Sequence, residues 1–168
     1  MDTTALRDAY RALLDAAATV ADSGGHGPGP GADPGLAPPP GEWNADQILA
    51  HVTLVNAATL AAVSRVAAGA DTTYDNRLAL DTWTIERAIA LAGGNAGLRD
   101  RIRVQGDALC VLAGPGALSE AELDTPVPTR LLSNGAALVE QPMPLRDIVT
   151  GLAEVELPGH TKQLLALL

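Results

Sequence analysis

Residues 44–69 read NADQILAHVTLVNAATLAAVSRVAAG, and this stretch decides the fold. Asn44 followed three residues later by Gln47 is a capping-box pattern, in which two side chains satisfy free N–H groups at the start of a helix. Gly69 is a residue type that commonly ends a helix. The apolar side chains between these signals recur at helical spacing, at Ile48, Val55, Ala58 and Ala62. The stretch therefore predicts a long helix that ends near Ala68 and buries one face.

Helical patterns also occur on both sides of this stretch. A helix over about 3–21 is predicted before it, with apolar side chains at inward-facing spacing. Between the two helices, residues 23–42 are dense in Gly and Pro and are expected to form a flexible loop, either a connector or a lid. A third helical region is predicted at about 75–91, is interrupted by GGNAG, and resumes over 98–112.

The C-terminal part of the chain combines a hairpin signal with a final helix. Asn134-Gly135 lies between the apolar runs PVPTRLL and AALVEQP, which predicts a β-hairpin. A helix is then predicted from Pro144, a favoured first helical residue, to near Leu167. Pro158 lies inside it and is expected to kink it, because proline lacks the N–H that the helix needs there.

These elements predict an all-α fold: a four-helix bundle with a small β-hairpin between helices three and four. The 168 residues suit a single domain over 1–168. The composition is 47% hydrophobic but only 2% aromatic, without phenylalanine. Ala, Leu and Val must therefore fill the core, which favours helices that approach one another closely.

Charge and composition exclude several classes of partner. The net charge is −9 and the isoelectric point is about 4.6, so binding to nucleic acid is not expected. No uninterrupted apolar run is long enough for a membrane span, and the N-terminus lacks the pattern of a signal peptide. The single cysteine, Cys110, cannot form an internal disulfide bond, so a cytoplasmic location is expected.

Two of the three histidines fall on predicted apolar helix faces. His51 lies on the stripe of the helix quoted above, and Glu156 and His160 lie four residues apart in the last helix, near Val149, Leu152 and Leu167. Residues four apart share one helix face. Two imidazoles and a carboxylate are a suitable set of ligands for a divalent metal, and three protein ligands leave a coordination position open, as in catalytic sites. The third histidine, His26, lies in the Gly/Pro-rich segment.

Each signal also has an ordinary structural interpretation. A histidine on an apolar helix face is more often a hydrogen-bonded core residue than a ligand. A Glu–His pair at this spacing is common on solvated helix faces. The metal hypothesis gains weight because so few histidines are available to occupy such positions.

Several short motifs give the chain a likeness to a known family. The stretches GEWNADQILAHV, TYDNR, the hairpin TPVPTR…NG…VEQPMPL and ELPGHTKQL resemble the DinB/YfiT-like putative metalloenzyme superfamily. Within it, the chain is most similar to the metal-binding domain of mycothiol-dependent maleylpyruvate isomerases. The resemblance implies metal ligation by His51, Glu156 and His160. It also implies Zn²⁺ as the metal, with Ni²⁺ or Fe²⁺ as alternatives, and mycothiol as cosubstrate.

The function expected from these features is a divalent-metal enzyme that acts on a small electrophilic molecule. A low-molecular-weight thiol would be its cosubstrate, in an isomerase or S-transferase reaction. Arg77 and Arg130 are candidates for binding substrate carboxylates, since guanidinium matches their geometry. Asn76 and Asp81 are candidates for orienting the metal ligands.

Three alternatives stay open at this point. The same ligands could activate water for hydrolysis, or hold Fe(II) as in non-haem oxygenases. The chain could also be a non-catalytic protein that binds a small molecule and confers resistance to it. A homodimer is a further option, because a bundle rich in Ala and Leu can expose an apolar face.

Overall fold

The fold is seen in a computed structural model that describes residues 1–23, 43–133 and 135–168. Over these ranges the chain is mostly helical, with one small three-stranded sheet. The predicted helical class is therefore confirmed, and the predicted hairpin forms part of the sheet. Three features of the sequence analysis lie outside the described residues: the predicted loop beyond Ser23, His26, and the hairpin residue Asn134.

The elements follow one another along the chain with short connections. They are α1 (Thr4–Asp22), α2 (Ala45–Ala67), β1 (Tyr74–Asp75), α3 (Arg77–Leu80), α4 (Thr82–Ala92), α5 (Asn95–Leu112), α6 (Glu120–Leu123), β2 (Pro126–Ser133), β3 (Ala136–Pro144), α7 (Leu145–Gly151), a π-helical turn (Leu152–Glu156) and α8 (Leu157–Leu165). Helix α1 packs against α5 and α8, and α2 packs against α4 and α5.

Helix α2 begins and ends as the sequence predicts. The Asn44 side chain accepts a hydrogen bond from the Gln47 N–H at 2.9 Å, and the Gln47 side chain accepts one from the Asn44 N–H at 3.1 Å. Gly69 has a φ of 68°, a left-handed conformation that glycine adopts without strain. Because both signals are local, the chain around them fixes the helix independently of its partners.

The region after α2 differs from the prediction of one helix over 75–91. Asp75 belongs to β1, which pairs in parallel with β2, so that Tyr74 lies opposite Thr129. The Asn76 side chain extends this pairing, since it both donates to and accepts from the Leu132 backbone at 2.9 Å. Only a distant strand supplies these partners, which is why a local helical pattern misplaced the start of the region.

The predicted last helix is also divided. Pro144 precedes α7 as its cap residue instead of opening it, and a π-helical turn separates α7 from α8. In this turn the Leu157 N–H donates to the Leu152 carbonyl, five residues back. Pro158 follows as the second residue of α8, within its first turn. The wider turn therefore replaces the predicted kink and accommodates the N–H that proline lacks.

Helix α2 passes a test of length and hydropathy for crossing a membrane, which no other described helix does. Its most apolar window is 67% buried inside the protein. The core helix of a water-soluble protein passes the same test, so this finding is a weak indication. The burial of α2 fits its place between α4 and α5.

A close approach between α1 and α5 depends on a glycine. A Cβ added at Gly106 would lie 2.9 Å from Cδ2 of Tyr10, whose hydroxyl donates to Asn56 at 2.7 Å. Gly106→Ala is therefore expected to lower the free energy of unfolding by about 1–3 kcal/mol, since the anchored ring cannot move aside. Urea denaturation would measure the loss.

Gly151→Ala is the matched control for this substitution. Gly151 also has helical backbone angles, but a Cβ there meets no atom within 4 Å. Alanine should stabilise that position by about 0.5–1 kcal/mol, because it restricts the unfolded chain. Equal stabilisation by both substitutions would contradict the proposed steric conflict at Gly106.

Candidate metal centre

Three side chains from distant parts of the chain meet at one point, and we call them the candidate triad: His51, Glu156 and His160. His51 lies in the second turn of α2, Glu156 is the last residue of the π-helical turn, and His160 is one turn further on in α8. One ligand atom from each lies within 4.8 Å of the other two. The sequence analysis selected the same three residues.

The distances within the candidate triad suit a tetrahedral ion. Glu156 Oε1 lies 3.1 Å from His51 Nε2 and 3.4 Å from His160 Nε2. Ligands bound to zinc at about 2.0–2.1 Å in tetrahedral geometry are separated by about 3.3 Å. Pro158 does not disturb the spacing of Glu156 and His160, because both lie at the junction with α8 and Pro158 is within its first turn.

The apolar surroundings of the candidate triad match the predicted stripe with one exception. His51 is only 2% exposed, and Val149 and Leu152 are buried beside the last helical segment. Leu167, predicted on the same stripe, is 40% exposed. The reason is that α8 ends at Leu165, so Leu167 lies beyond the helix and does not share its buried face.

Hydrogen bonds orient both imidazole rings. His51 Nδ1 lies 2.7 Å from the Ala79 carbonyl oxygen, which can only accept, so this nitrogen donates. His160 Nδ1 donates in the same way to Gln163 Oε1 at 2.8 Å. In a neutral imidazole the other nitrogen then carries a lone pair. Both Nε2 atoms are therefore directed at Glu156 as potential ligands.

The Glu156 carboxyl is held in its charged form. Hydrogen bonding to His160 and then to His51 lowers its pKa well below the usual range, and this effect outweighs burial, which acts in the opposite direction. The side chain is 36% exposed, so water reaches one side of it. At neutral pH the carboxylate is ionised and can only accept hydrogen bonds or bind a cation.

Three acceptors consequently face one another at this point. With Nδ1 already donating, an imidazole Nε2 meets the carboxylate either as part of an imidazolium or through a shared cation. Two imidazoliums would place like charges in rings whose centroids are 4.7 Å apart. A single divalent cation satisfies all three atoms at once, so the donor set fits a metal ion.

A cavity of about 490 Å³ opens beside the candidate triad, within the range of small-molecule sites. The hairpin supplies one wall, and α7, the π-helical turn and α8 supply another. Trp43 also lines it, with its ring centroid 5.0 Å from that of His51. Tyr74 is buried in the wall, and burial raises the pKa of its hydroxyl, which therefore stays protonated. The candidate triad forms part of the lining, which gives a ligand access to it.

The two arginines considered for substrate binding lie away from this cavity. Arg77 is held by Asp75, with Nη2 2.6 Å from Oδ2. Arg130 Nε lies 3.6 Å from Glu140 Oε1, and these two residues are direct cross-strand partners. Neither arginine is among the cavity-lining residues. Since both guanidinium groups are paired with carboxylates elsewhere, the structure does not bring them to the candidate triad.

The two residues expected to orient the ligands have other contacts. Asp81 accepts hydrogen bonds from the Thr84 N–H and hydroxyl, which cap α4 and lower the pKa of this carboxyl. Asn76 lines the cavity, but its amide binds the Leu132 backbone. Both side chains therefore support local backbone structure instead of the imidazoles.

The orienting groups found in the structure are the Ala79 carbonyl and the Gln163 side chain. Gln163 lies three residues after His160, within the motif ELPGHTKQL, so helical spacing could have identified it. No residue type marks a carbonyl as a partner, and Ala79 reaches His51 only through the fold of α3 against α2.

Comparison with known proteins adds no relative. No protein-family model, curated protein sequence or solved structure matches this chain. The likeness to DinB/YfiT-like metalloenzymes therefore stays a prediction from the quoted motifs.

Proposed function

We propose that the chain is a divalent-metal-dependent enzyme that acts on a small electrophilic molecule with a low-molecular-weight thiol as cosubstrate. The observation that carries this proposal is the convergence of two oriented Nε2 atoms on one ionised carboxylate. Zn²⁺ is the metal we propose, held by His51, Glu156 and His160. Mycothiol, or a thiol of the same kind, is the proposed cosubstrate, as the resemblance implies.

The metal supplies Lewis acidity when bound, and this lowers the pKa of a thiol or water molecule at the open position. The protein's own residues perform the remaining tasks. The Ala79 carbonyl and Gln163 hold the two rings in the tautomer that binds metal. The cavity walls bind the substrate and exclude water, which strengthens electrostatic interactions in the site. An isomerase or S-transferase reaction fits such a site.

The finer fold proposal is a DinB/YfiT-like four-helix bundle. Its four members would be α1, α2, α5 and the segment from α7 to α8. The packing of α1 against α5 and α8, and of α2 against α5, supports this arrangement. In such bundles, metal ligands come from facing helices, as they would here from α2 and α8. The lone cysteine, Cys110, supports a proposed cytoplasmic location.

A second candidate function follows from the same donor set. Two histidines and one carboxylate with open positions are also the ligands of non-haem Fe(II) oxygenases. Elemental analysis of the protein purified without added metal distinguishes the two. Stoichiometric iron, with turnover that requires oxygen, would replace the zinc–thiol proposal.

Thiol dependence can be tested on the protein loaded with Co²⁺, which has a visible absorption spectrum. Adding a low-molecular-weight thiol should produce a saturable thiolate-to-cobalt band, because the thiol reaches the metal through the cavity. The experiment uses the Cys110→Ser variant, in which the added compound is the only thiol. An unchanged spectrum of the cobalt protein would contradict a thiol cosubstrate and favour hydrolysis by activated water.

A further inference from the structure

The charge of the cavity lining identifies the kind of molecule that it accepts. All eleven Lys and Arg residues of the chain lie in the parts that the structure describes, and none of them lines the cavity. Residues 24–42, outside the described ranges, contain neither Lys nor Arg in their sequence. The lining does contain two carboxylates, those of Glu156 and Asp147.

The walls offer mainly apolar contact. Leucine, methionine, isoleucine and valine side chains from the hairpin, α7 and the π-helical turn make up much of the lining. The polar groups among them are largely occupied by the protein itself. The Thr59 hydroxyl donates to the Val55 carbonyl and so accepts from the Tyr74 hydroxyl at 3.2 Å, and the Asn76 amide binds the Leu132 backbone.

We propose that this cavity binds a neutral, mainly apolar small molecule and discriminates against carboxylates. A carboxylate leaving water for this cavity would find no guanidinium or ammonium group to compensate it. A bound divalent cation would not reverse this preference, because Glu156 and Asp147 together balance its charge. The inference deepens the proposed function, on which it rests, by naming the substrate class. It also argues against a dicarboxylate substrate.

Trp43 provides a direct measurement of binding. The chain contains two tryptophans, and Trp83 is 70% exposed outside the cavity lining. Trp83→Phe therefore leaves Trp43 as the single fluorescent reporter. Its emission is followed while the protein is titrated with 3-phenylpropanamide, which is neutral, and with 3-phenylpropanoate, which has the same skeleton and a negative charge.

We expect the amide to bind at least tenfold more tightly than the carboxylate, in both the zinc-free and the zinc-loaded protein. Equal or tighter binding of the carboxylate to either form, or failure of the amide to bind, would overturn the inference. The zinc-free titration does not depend on the metal. A failure of Zn²⁺ to bind would therefore contradict the proposed function while the ligand preference is still measured.

A charge added at the cavity tests the cause of the preference. Leu138 lines the cavity from β3 and is 68% exposed, so Leu138→Arg places a cation there. We expect at least a fivefold gain in affinity for the carboxylate. Val104→Arg is the matched control, because Val104 is 69% exposed on α5, outside the lining, and makes the same change in net charge. An equal gain in both variants would overturn the local explanation.

Discussion

Zn²⁺ at a hundred times its Kd is expected to stabilise the protein by about 2.7 kcal/mol. For a chain of this size, the corresponding rise in Tm is roughly 5–11 °C. The physical reason is that the candidate triad joins α2 to the segment from the π-helical turn to α8, and the unfolded chain has no such site. Differential scanning calorimetry with and without Zn²⁺ measures the shift.

Two substitutions test whether the candidate triad causes this shift. His160→Ala removes a ligand and should abolish the response to Zn²⁺. Glu156→Gln should also abolish it, yet preserve the metal-free fold, because an amide N–H can donate to the facing imidazole lone pairs. Glu154→Gln is the matched control, since Glu154 is exposed in the same π-helical turn and does not belong to the candidate triad.

The expected pattern separates metal binding from a general loss of stability. Glu156→Gln should melt without metal at the wild-type temperature or above it, since the substitution relieves the conflict between acceptors. Glu154→Gln should respond to Zn²⁺ like the wild type. A full zinc response in the Glu156→Gln variant would contradict the assignment of this carboxylate as a ligand.

Gln163→Leu is expected to weaken zinc binding by about 10–100-fold, the usual effect of removing a group that orients a metal-binding histidine. The Gln163 oxygen accepts from His160 Nδ1 at 2.8 Å and so keeps the Nε2 lone pair directed at Glu156. Leucine cannot accept this hydrogen bond, so the ring can rotate and exchange its tautomer. Competition with a zinc-binding dye measures the affinity.

The control for this prediction is Gln163→Glu, which retains an acceptor at the same position. It should keep wild-type zinc affinity or exceed it, because a carboxylate accepts more strongly than an amide. Similar losses in the Leu and Glu variants would indicate that Gln163 acts on the packing of α8 and does not orient His160. Neither substitution should change the Tm of the metal-free protein by more than a few degrees, since Gln163 is exposed.

The predictable parts of the fold are those specified by neighbouring residues. Helix α2 has the predicted capping box, and the β2–β3 hairpin forms around the predicted turn. These signals act over a few residues, where side chain and backbone contact each other in any surrounding. The candidate triad was predicted for a related reason, because its residue types are scarce and its carboxylate and second histidine share one helical turn.

The parts that sequence reasoning missed depend on residues far apart in the chain. Strand β1 exists because β2 lies beside it, and Arg130 is paired by Glu140 across the hairpin. The Ala79 carbonyl reaches His51 only after α3 has packed on α2. A search of residue types along the chain detects none of these contacts, since backbone groups have no type and cross-strand partners have no fixed separation.

By itself, the sequence determined the helices, their caps, the hairpin and the identity of three potential ligands. Only the tertiary structure decided that these ligands meet and which nitrogen of each ring faces the carboxylate. It also decided that the cavity beside them contains no positively charged side chain from the described residues. The difference is physical: caps and turns form from contacts within a few residues, whereas a binding site requires distant segments to pack at defined distances and orientations.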